Sequence, residues 1–287
     1  MSEAFVALAG RPVRRIGFGA MQLPGPRVFG PPRDREQALA VLRRAVELGV
    51  NHIDTAQYYG PDVSNELIRR ALHPYPEDLV LVSKLGAARD QNGGWIAAQS
   101  PDQLRSGVEE NLRSLAVERV DVVNLRLMSG DKTSGVALTE QLDTMVALRE
   151  EGKIGALGLS NVTLQQLKTG LEHTEIACVQ NPLNLLQRDD EPVLERCRQD
   201  GIPYVPFFPL GSAFPGMPHV TEQPVVCALA QRLGATAAQI GLAWLLHRAQ
   251  NVLLIPGTSS LIHLEENIAA GELHLDEEAL GVLDALA

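Results

Sequence analysis

Leu79-Val80-Leu81-Val82-Ser83-Lys84 leads to Ser100-Pro101-Asp102-Gln103-Leu104, and that in turn to Val120-Asp121-Val122-Val123-Asn124-Leu125-Arg126. The first and third stretches are short runs rich in β-branched residues, which read as buried strands. The second is a helix start: a capping serine, a first-turn proline and a glutamine placed to close a capping box. Behind it Leu104, Val108, Leu112 and Leu115 recur at helix spacing. Strand, helix and strand in this order form a unit whose two strands run parallel.

The same rhythm extends in both directions. Strands are expected to begin near Ile16, His52, Leu79, Val120, Ile154, Ala177, Pro203 and Val252. Ala38, Leu42, Ala45 and Val46 repeat the helical stripe in the preceding unit, and Thr163-Leu164-Gln165-Gln166 repeats the capping box. Eight strand–helix units without interruption predict an α/β fold, a closed (β/α)8 barrel forming one domain over residues 1–287. Phe5–Leu8, a turn at Ala9–Pro12 and Val13–Ile16 read as a short hairpin before or beneath the barrel, and Leu275–Ala287 as an extra helix after it. The long connections Met21–Arg33, Gly86–Ser100 and Gly211–Thr221 all follow strands. They therefore belong to the face where barrels build their sites.

Composition narrows the class further. With 45% hydrophobic residues the chain can bury a large core, and its formal net charge of −10 argues against a nucleic-acid or anionic-membrane partner. The three cysteines, Cys178, Cys197 and Cys227, form no CxxC pair, so neither a zinc site nor a disulfide framework is indicated. The seven histidines show no metal-ligand spacing, and His52 reads as a core or rim residue. No signal-peptide core and no run of 18 apolar residues is present, so a cytoplasmic location is expected.

Several strands end on a polar residue: Asp54, Lys84, Arg126, Ser160-Asn161 and Gln180. The C-terminal ends of barrel strands converge on one rim, so polar residues on five successive strands read as a shared site rather than five separate solvent caps. Asp54-Thr55-Ala56-x-x-Tyr59-Gly60, Ser83-Lys84, Gly158-Leu159-Ser160-Asn161 and Val179-Gln180-Asn181-Pro182 together resemble the aldo-keto reductases. So do Phe207-Phe208-Pro209-Leu210-Gly211-Ser212 and Ile255-Pro256-Gly257-Thr258 followed by Glu266-Asn267. The resemblance runs from about Ile16 to Ala270 and accounts for the missing GxGxxG turn, because these barrels bind NADPH without one.

The resemblance implies reduction of an aldehyde or ketone on a small molecule, with Tyr59 as general acid. A phenol of pKa about 10 is a poor donor at neutral pH. A neighbouring ammonium, Lys84 held by Asp54, is expected to lower it. Ser160, Asn161 and Gln180 are implied to hold the nicotinamide carboxamide, Phe207 to stack on the ring, and Ala20 and Met21 to line that end. The stretch through Phe208 to Leu210 and Ser212 is implied to follow the pyrophosphate. Thr258, Ser259 and Ser260, ahead of a helix starting near Leu261, gather hydroxyls and free amides for a 2′-phosphate, with His263, Glu266 and Asn267 on that helix. Gly257 and His263 stand where relatives often carry lysine and arginine, so the phosphate contact is less cationic than usual; NADPH is still favoured on the hydroxyls and amides, and NADH is possible.

Arg126 is the clearest departure, since the family usually places histidine there. Arginine cannot relay a proton, but it can donate to a developing alkoxide or to an anionic group on the substrate. A pyridoxal-reductase-like member would suit such a site, because that substrate carries an ionisable phenol beside its aldehyde. Trp95, in the Gly93-Gly94-Trp95 loop, reads equally as a substrate contact and as an aromatic anchor. Two other classes remain open on sequence: an NADPH-holding regulatory module with little turnover, and a Schiff-base lyase using Lys84 as nucleophile.

Overall fold

The structure, a computed structural model, describes residues 5–128, 133–211 and 218–286. The chain opens with an antiparallel hairpin, β1 (Phe5–Leu8) and β2 (Arg11–Arg14), turning at Ala9 and Gly10, both at positive φ. The second strand thus ends two residues earlier than the sequence pattern suggests, and Ile16 pairs instead with Leu254 in the barrel wall. Six parallel strands follow in neighbour order: β3 (Phe18–Gly19), β4 (His52–Asp54), β5 (Val80–Arg89), β7 (Val120–Arg126), β8 (Ile154–Ser160) and β9 (Val179–Gln180). The seventh and eighth staves are short. Tyr204 bridges Val179 on one side and Val252 on the other, and Leu254 bridges Ile16. The Gly17 amide donates to Leu254 O at 2.8 Å and the Leu254 amide to Arg15 O at 2.8 Å, which closes the ring as a (β/α)8 barrel.

Between the staves run α1 (Arg35–Glu47), α2 (Val63–Leu72), α3 (Pro101–Leu115), α4 (Leu138–Glu150), α5 (Leu164–His173) and α6 (Glu191–Gln199). The seventh unit carries two helices, α7 (Pro224–Leu233) and α8 (Ala237–Arg248), and the eighth carries α9 (Leu261–Ala269) before a terminal α10 (Glu277–Asp284). Both capping boxes form as the sequence predicts, at Ser100–Gln103 and Thr163–Gln166. No single helix among the described residues is long and apolar enough to cross a membrane.

The stretch Gly86–Ser100 is not the open loop expected. β5 continues to Arg89, turns through Asp90–Gly94 and returns as β6 (Trp95–Ala98), an antiparallel flap that rises above the barrel. Asp90 stabilises the turn by accepting from the amides of Asn92 (2.8 Å) and Gly94 (2.7 Å). Of the third long connection, residues 212–217 lie outside the described residues, and a short 3-10 turn at Val220–Glu222 leads into α7.

Parallel register sorts the side chains into two cores. Val80, Val82, Val122, Cys178, Val205, Leu253 and Ile255 fill the barrel, while Ile53, Leu81, Val123, Leu125, Leu157 and Leu159 face outward against the helices. Leu8 and Val13 of the hairpin join the inner cluster from below and close that end. Arg11 fixes the hairpin through Leu79 O and Asp121, and Asn51 bonds both the Arg14 amide and Pro12 O.

Barrel closure demands glycine where the first and eighth staves meet. A Cβ at Gly19 would lie 2.4 Å from Ile255 O, and one at Gly257 would lie 2.4 Å from Gly19 O. Backbone cannot retreat as a flexible side chain can. Gly19→Ala is therefore expected to destabilise by about 1–3 kcal/mol, read as a lower midpoint in thermal unfolding. Gly281→Ala in α10, where nothing lies within 4 Å of an added Cβ, should leave the midpoint unchanged or raise it.

Candidate active site

Asp54 ends β4 and Lys84 lies in β5, and the register Asp54↔Val82 turns both side chains into the barrel at its upper rim. The two form an ion pair whose side chains are each 4% exposed. The ammonium also donates to Thr55 O at 3.0 Å, and Gln180 Nε2 donates to the second carboxylate oxygen of Asp54 at 2.8 Å. A lysine committed as an ammonium to two acceptors is not a poised Schiff-base nucleophile. That removes the geometric basis for the lyase.

Tyr59 follows on the turn into α2, 6% exposed, with the Lys84 ammonium 5.0 Å from its ring centroid. Its neighbour Tyr58 stands edge-on to it, with centroids 5.4 Å apart, and packs edge-on against Trp95 of the flap at 5.5 Å. Trp95 is thus an aromatic anchor, stacked on its other side by the Arg89 guanidinium at 4.0 Å. Val28, Ala56, Ala87, Met21 and Met128 complete this apolar wall.

Burial pushes the Tyr59 phenol well above its ordinary pKa, the Asp54 carboxylate pushes it further, and the Arg126 guanidinium pulls it back. The net direction is thus opposite to the lowering expected from Lys84, because burial outweighs the nearby cations.

Arg126 ends β7 opposite Ser160 of β8. One of its terminal nitrogens is 3.4 Å from Ser160 Oγ, and the guanidinium lies 5.4 Å from the Phe207 ring centroid. No carboxylate pairs with it among the described residues. Its backbone is clasped by the flap: Gln99 Nε2 donates to Arg126 O at 3.1 Å, and a Cβ at Gly86, whose φ is +103°, would lie 2.2 Å from the same oxygen.

The other residues singled out by sequence distribute as follows. Asn161, at φ 59°, donates to Leu127 O at 2.7 Å. Ser160 and Gln180 are buried, and Gln180 Oε1 has no partner among the described residues, which leaves an acceptor for an amide such as a nicotinamide carboxamide. Phe207 and Phe208 are edge-on at 5.0 Å, and Asn184 holds Phe208 O at 3.0 Å. Leu210 packs on the core, while Ser212 lies outside the described residues. Ala20 is fully buried with its carbonyl bonded by Ser64, and Met21 faces the tyrosine wall. Thr258 Oγ1 accepts from the Ser260 amide at 3.0 Å, Ser260 caps α9 by accepting from the His263 amide, and Ser259 is exposed. On that helix, Glu266 O accepts from Gln239 and Asn267 is buried.

Sequence reasoning missed the polar network behind the pair. Thr55 Oγ1 donates to Asn65, Asn65 donates to Asn111 and Ser114, Ser83 Oγ donates to Asn111 at 2.6 Å, and Asn111 donates to Gln57. These bonds tie the residue after Asp54 and the residue before Lys84 to α2 and α3. The available signal was Asn111, a polar residue on the buried side of α3 among Leu104, Val108 and Leu115.

The residues are those of a known class of enzyme. The aldo/keto reductase family pattern matches residues 15–287. Pyridoxine 4-dehydrogenase of Escherichia coli strain K12 is 47% identical over 289 residues, covering 100% of this chain and 99% of that protein. Among solved structures, a thermostable aldo-keto reductase in complex with the inhibitor epalrestat superposes with a TM-score of 0.83 at 30% identity, covering 99% of each chain. An aldo/keto reductase from Klebsiella pneumoniae, in complex with NADP and acetate, gives 0.80 at 28% identity, covering 99% of this chain and 95% of that one. The chain belongs to the aldo/keto reductase family and is an oxidoreductase.

Deeper in the barrel His52 shares the inward face of β4 with Asp54. It is 1% exposed, both ring nitrogens lack partners, and burial pushes its pKa down to about 4. Gly17 makes room for it, since a Cβ there would lie 2.3 Å from the imidazole. The ring should therefore remain neutral at about pH 5, where an ordinary histidine is largely protonated. Nitrogen chemical shifts in a pH titration will show it, and an inflection near pH 6.5 for this residue would contradict the burial argument.

Proposed function

We propose that the chain, acting as one domain, uses NADPH to reduce the carbonyl of a small aldehyde or ketone. Tyr59 is the general acid, Lys84 and Asp54 hold it in place, and Arg126 polarises the substrate oxygen. The observation that carries this reading is the buried phenol set between a neutralised Lys84–Asp54 pair and an unneutralised guanidinium. NADPH supplies the hydride when bound. The unpartnered Gln180 Oε1, the Ser160 hydroxyl and the capped start of α9 fit its carboxamide and phosphate ends, and the NADP complex of the Klebsiella relative supports the choice.

As the carbonyl carbon gains its hydride, negative charge builds on the oxygen. Arg126, level with Ser160 on the neighbouring strand, is a fixed donor for that charge in a water-poor pocket. Tyr59 then releases its proton to an alkoxide more basic than a phenolate, so the raised pKa of the phenol is no obstacle in the reductive direction. In the reverse direction the same phenol, as phenolate, accepts the alcohol proton. The substrate class proposed is an aromatic aldehyde bearing an ionisable hydroxyl, with pyridoxal the first compound to test. The several N–H donors of Arg126 suit an anionic oxygen on the substrate as well as the carbonyl oxygen, and the activity named for the Escherichia coli relative points the same way.

An aldehyde and ketone panel containing pyridoxal, followed by loss of NADPH absorbance, tests the reading. No consumption with any member would sink it. Tyr59→Phe keeps the ring and removes the acid, so turnover should fall by about 100-fold or more while the Kd for NADPH stays near that of the parent. Arg126→Met keeps a stem of similar bulk and removes the donors. Its kcat/KM should fall about 100- to 1000-fold for pyridoxal and distinctly less for benzaldehyde. A loss of under about threefold for both, some 0.6 kcal/mol, would remove Arg126 from the site.

A further inference from the structure

The connection between β3 and α1 walls a hollow of about 420 Å3, and Ser259, from the segment ahead of α9, closes its far side. The hollow runs from Met21 and Val28, which also pack in the tyrosine wall, to Ser259 ahead of α9. Its charged lining consists of Arg27, Arg33 and Asp34. Asp34 is engaged as the cap of α1, accepting from the Gln37 amide at 2.9 Å. Neither arginine has a carboxylate or hydrogen-bond partner for its side chain among the described residues.

The segment bearing Arg27 is held in an unfavourable shape. Arg27 and Val28 are consecutive left-handed residues, at φ 59° and 60°, a conformation that β-branched valine rarely adopts. Arg89 donates to the carbonyls of both, at 2.6 and 3.0 Å, and the Gly60 amide donates to Val28 O at 3.2 Å. Strain maintained by dedicated bonds is typical of functional loops, and here it fixes where Arg27 leaves the backbone.

Across the hollow, positive charge is scarce. Residues 257–267 contain no lysine or arginine, and two glutamates follow His263. That side offers only the amides and hydroxyls of the α9 start, which bind an anion but cannot neutralise a dianion.

We propose that Arg27 and Arg33, both exposed at the mouth of the hollow, supply the positive charge that selects a 2′-phosphorylated dinucleotide, the 2′-phosphate lying between their guanidinium groups and Ser259–Ser260. The inference rests on the reductase reading above and adds the element that separates NADPH from NADH. Binding is measured by calorimetry with four probes: NADPH, NADH, adenosine 2′,5′-bisphosphate and ADP. In the double variant R27Q/R33Q, Kd for NADPH and for the bisphosphate should rise about tenfold or more, while NADH and ADP stay within about twofold. The salt dependence of NADPH binding should also flatten. R27K/R33K keeps the charge and should retain most of the NADPH preference. Equal weakening of NADPH and NADH, an unmoved NADPH, or a lysine variant as poor as the glutamine one would each overturn the proposal. A parent protein that binds neither dinucleotide would instead overturn the proposed function.

Discussion

Two opposite charges buried at the top of an apolar barrel set the terms for everything around them. Withdrawing Lys84 and Asp54 from water costs several kcal/mol per ion in general, and their attraction offsets that only with near-complete hydrogen bonding. The structure provides it: Thr55 O for the ammonium and Gln180 for the free carboxylate oxygen. The chain on either side of the pair is bonded to helices through Asn65 and Asn111. Because the pair tolerates little displacement, the turn carrying Tyr59 inherits a fixed position relative to the barrel.

Burial and Asp54 raise the Tyr59 phenol, and Arg126 is the cation that opposes the rise. Histidine in that position could exchange protons with the substrate, whereas arginine can only donate hydrogen bonds. The flap supports this residue rather than merely covering it. Gln99 holds the Arg126 carbonyl, Gly86 leaves room for it to approach, and Trp95 braces Tyr58 behind Tyr59. The proposed acid, Tyr59, and the proposed polarising group, Arg126, are therefore both braced by the same excursion of β5.

Most of the barrel was legible because β-branched runs and helical stripes alternate without a break, and because capping boxes mark helix starts chemically. The short staves at Tyr204 and Val252–Leu254 were located but could not be sized, since closure rather than propensity forms them. The flap was mistaken for a loop: Gly86, Gly93 and Gly94 read as breakers, although here they permit a tight turn and a close backbone approach. Strand-end residues revealed the rim because position on a barrel stave is itself a functional signal. The direction of the Tyr59 shift was not legible, because it depends first on how deeply the phenol is buried. Nor were Arg27 and Arg33, whose significance appears only when Ser259 is seen across from them.

The hairpin at the chain start gives the barrel a consequence of its own. With Leu8 and Val13 seated in the lower mouth, the interior is a blind-ended vessel, and the polar ring of His52 lies sealed in its depth. Under the proposed function, the proton that recharges Tyr59 comes from the upper rim, the side on which substrate and product also pass.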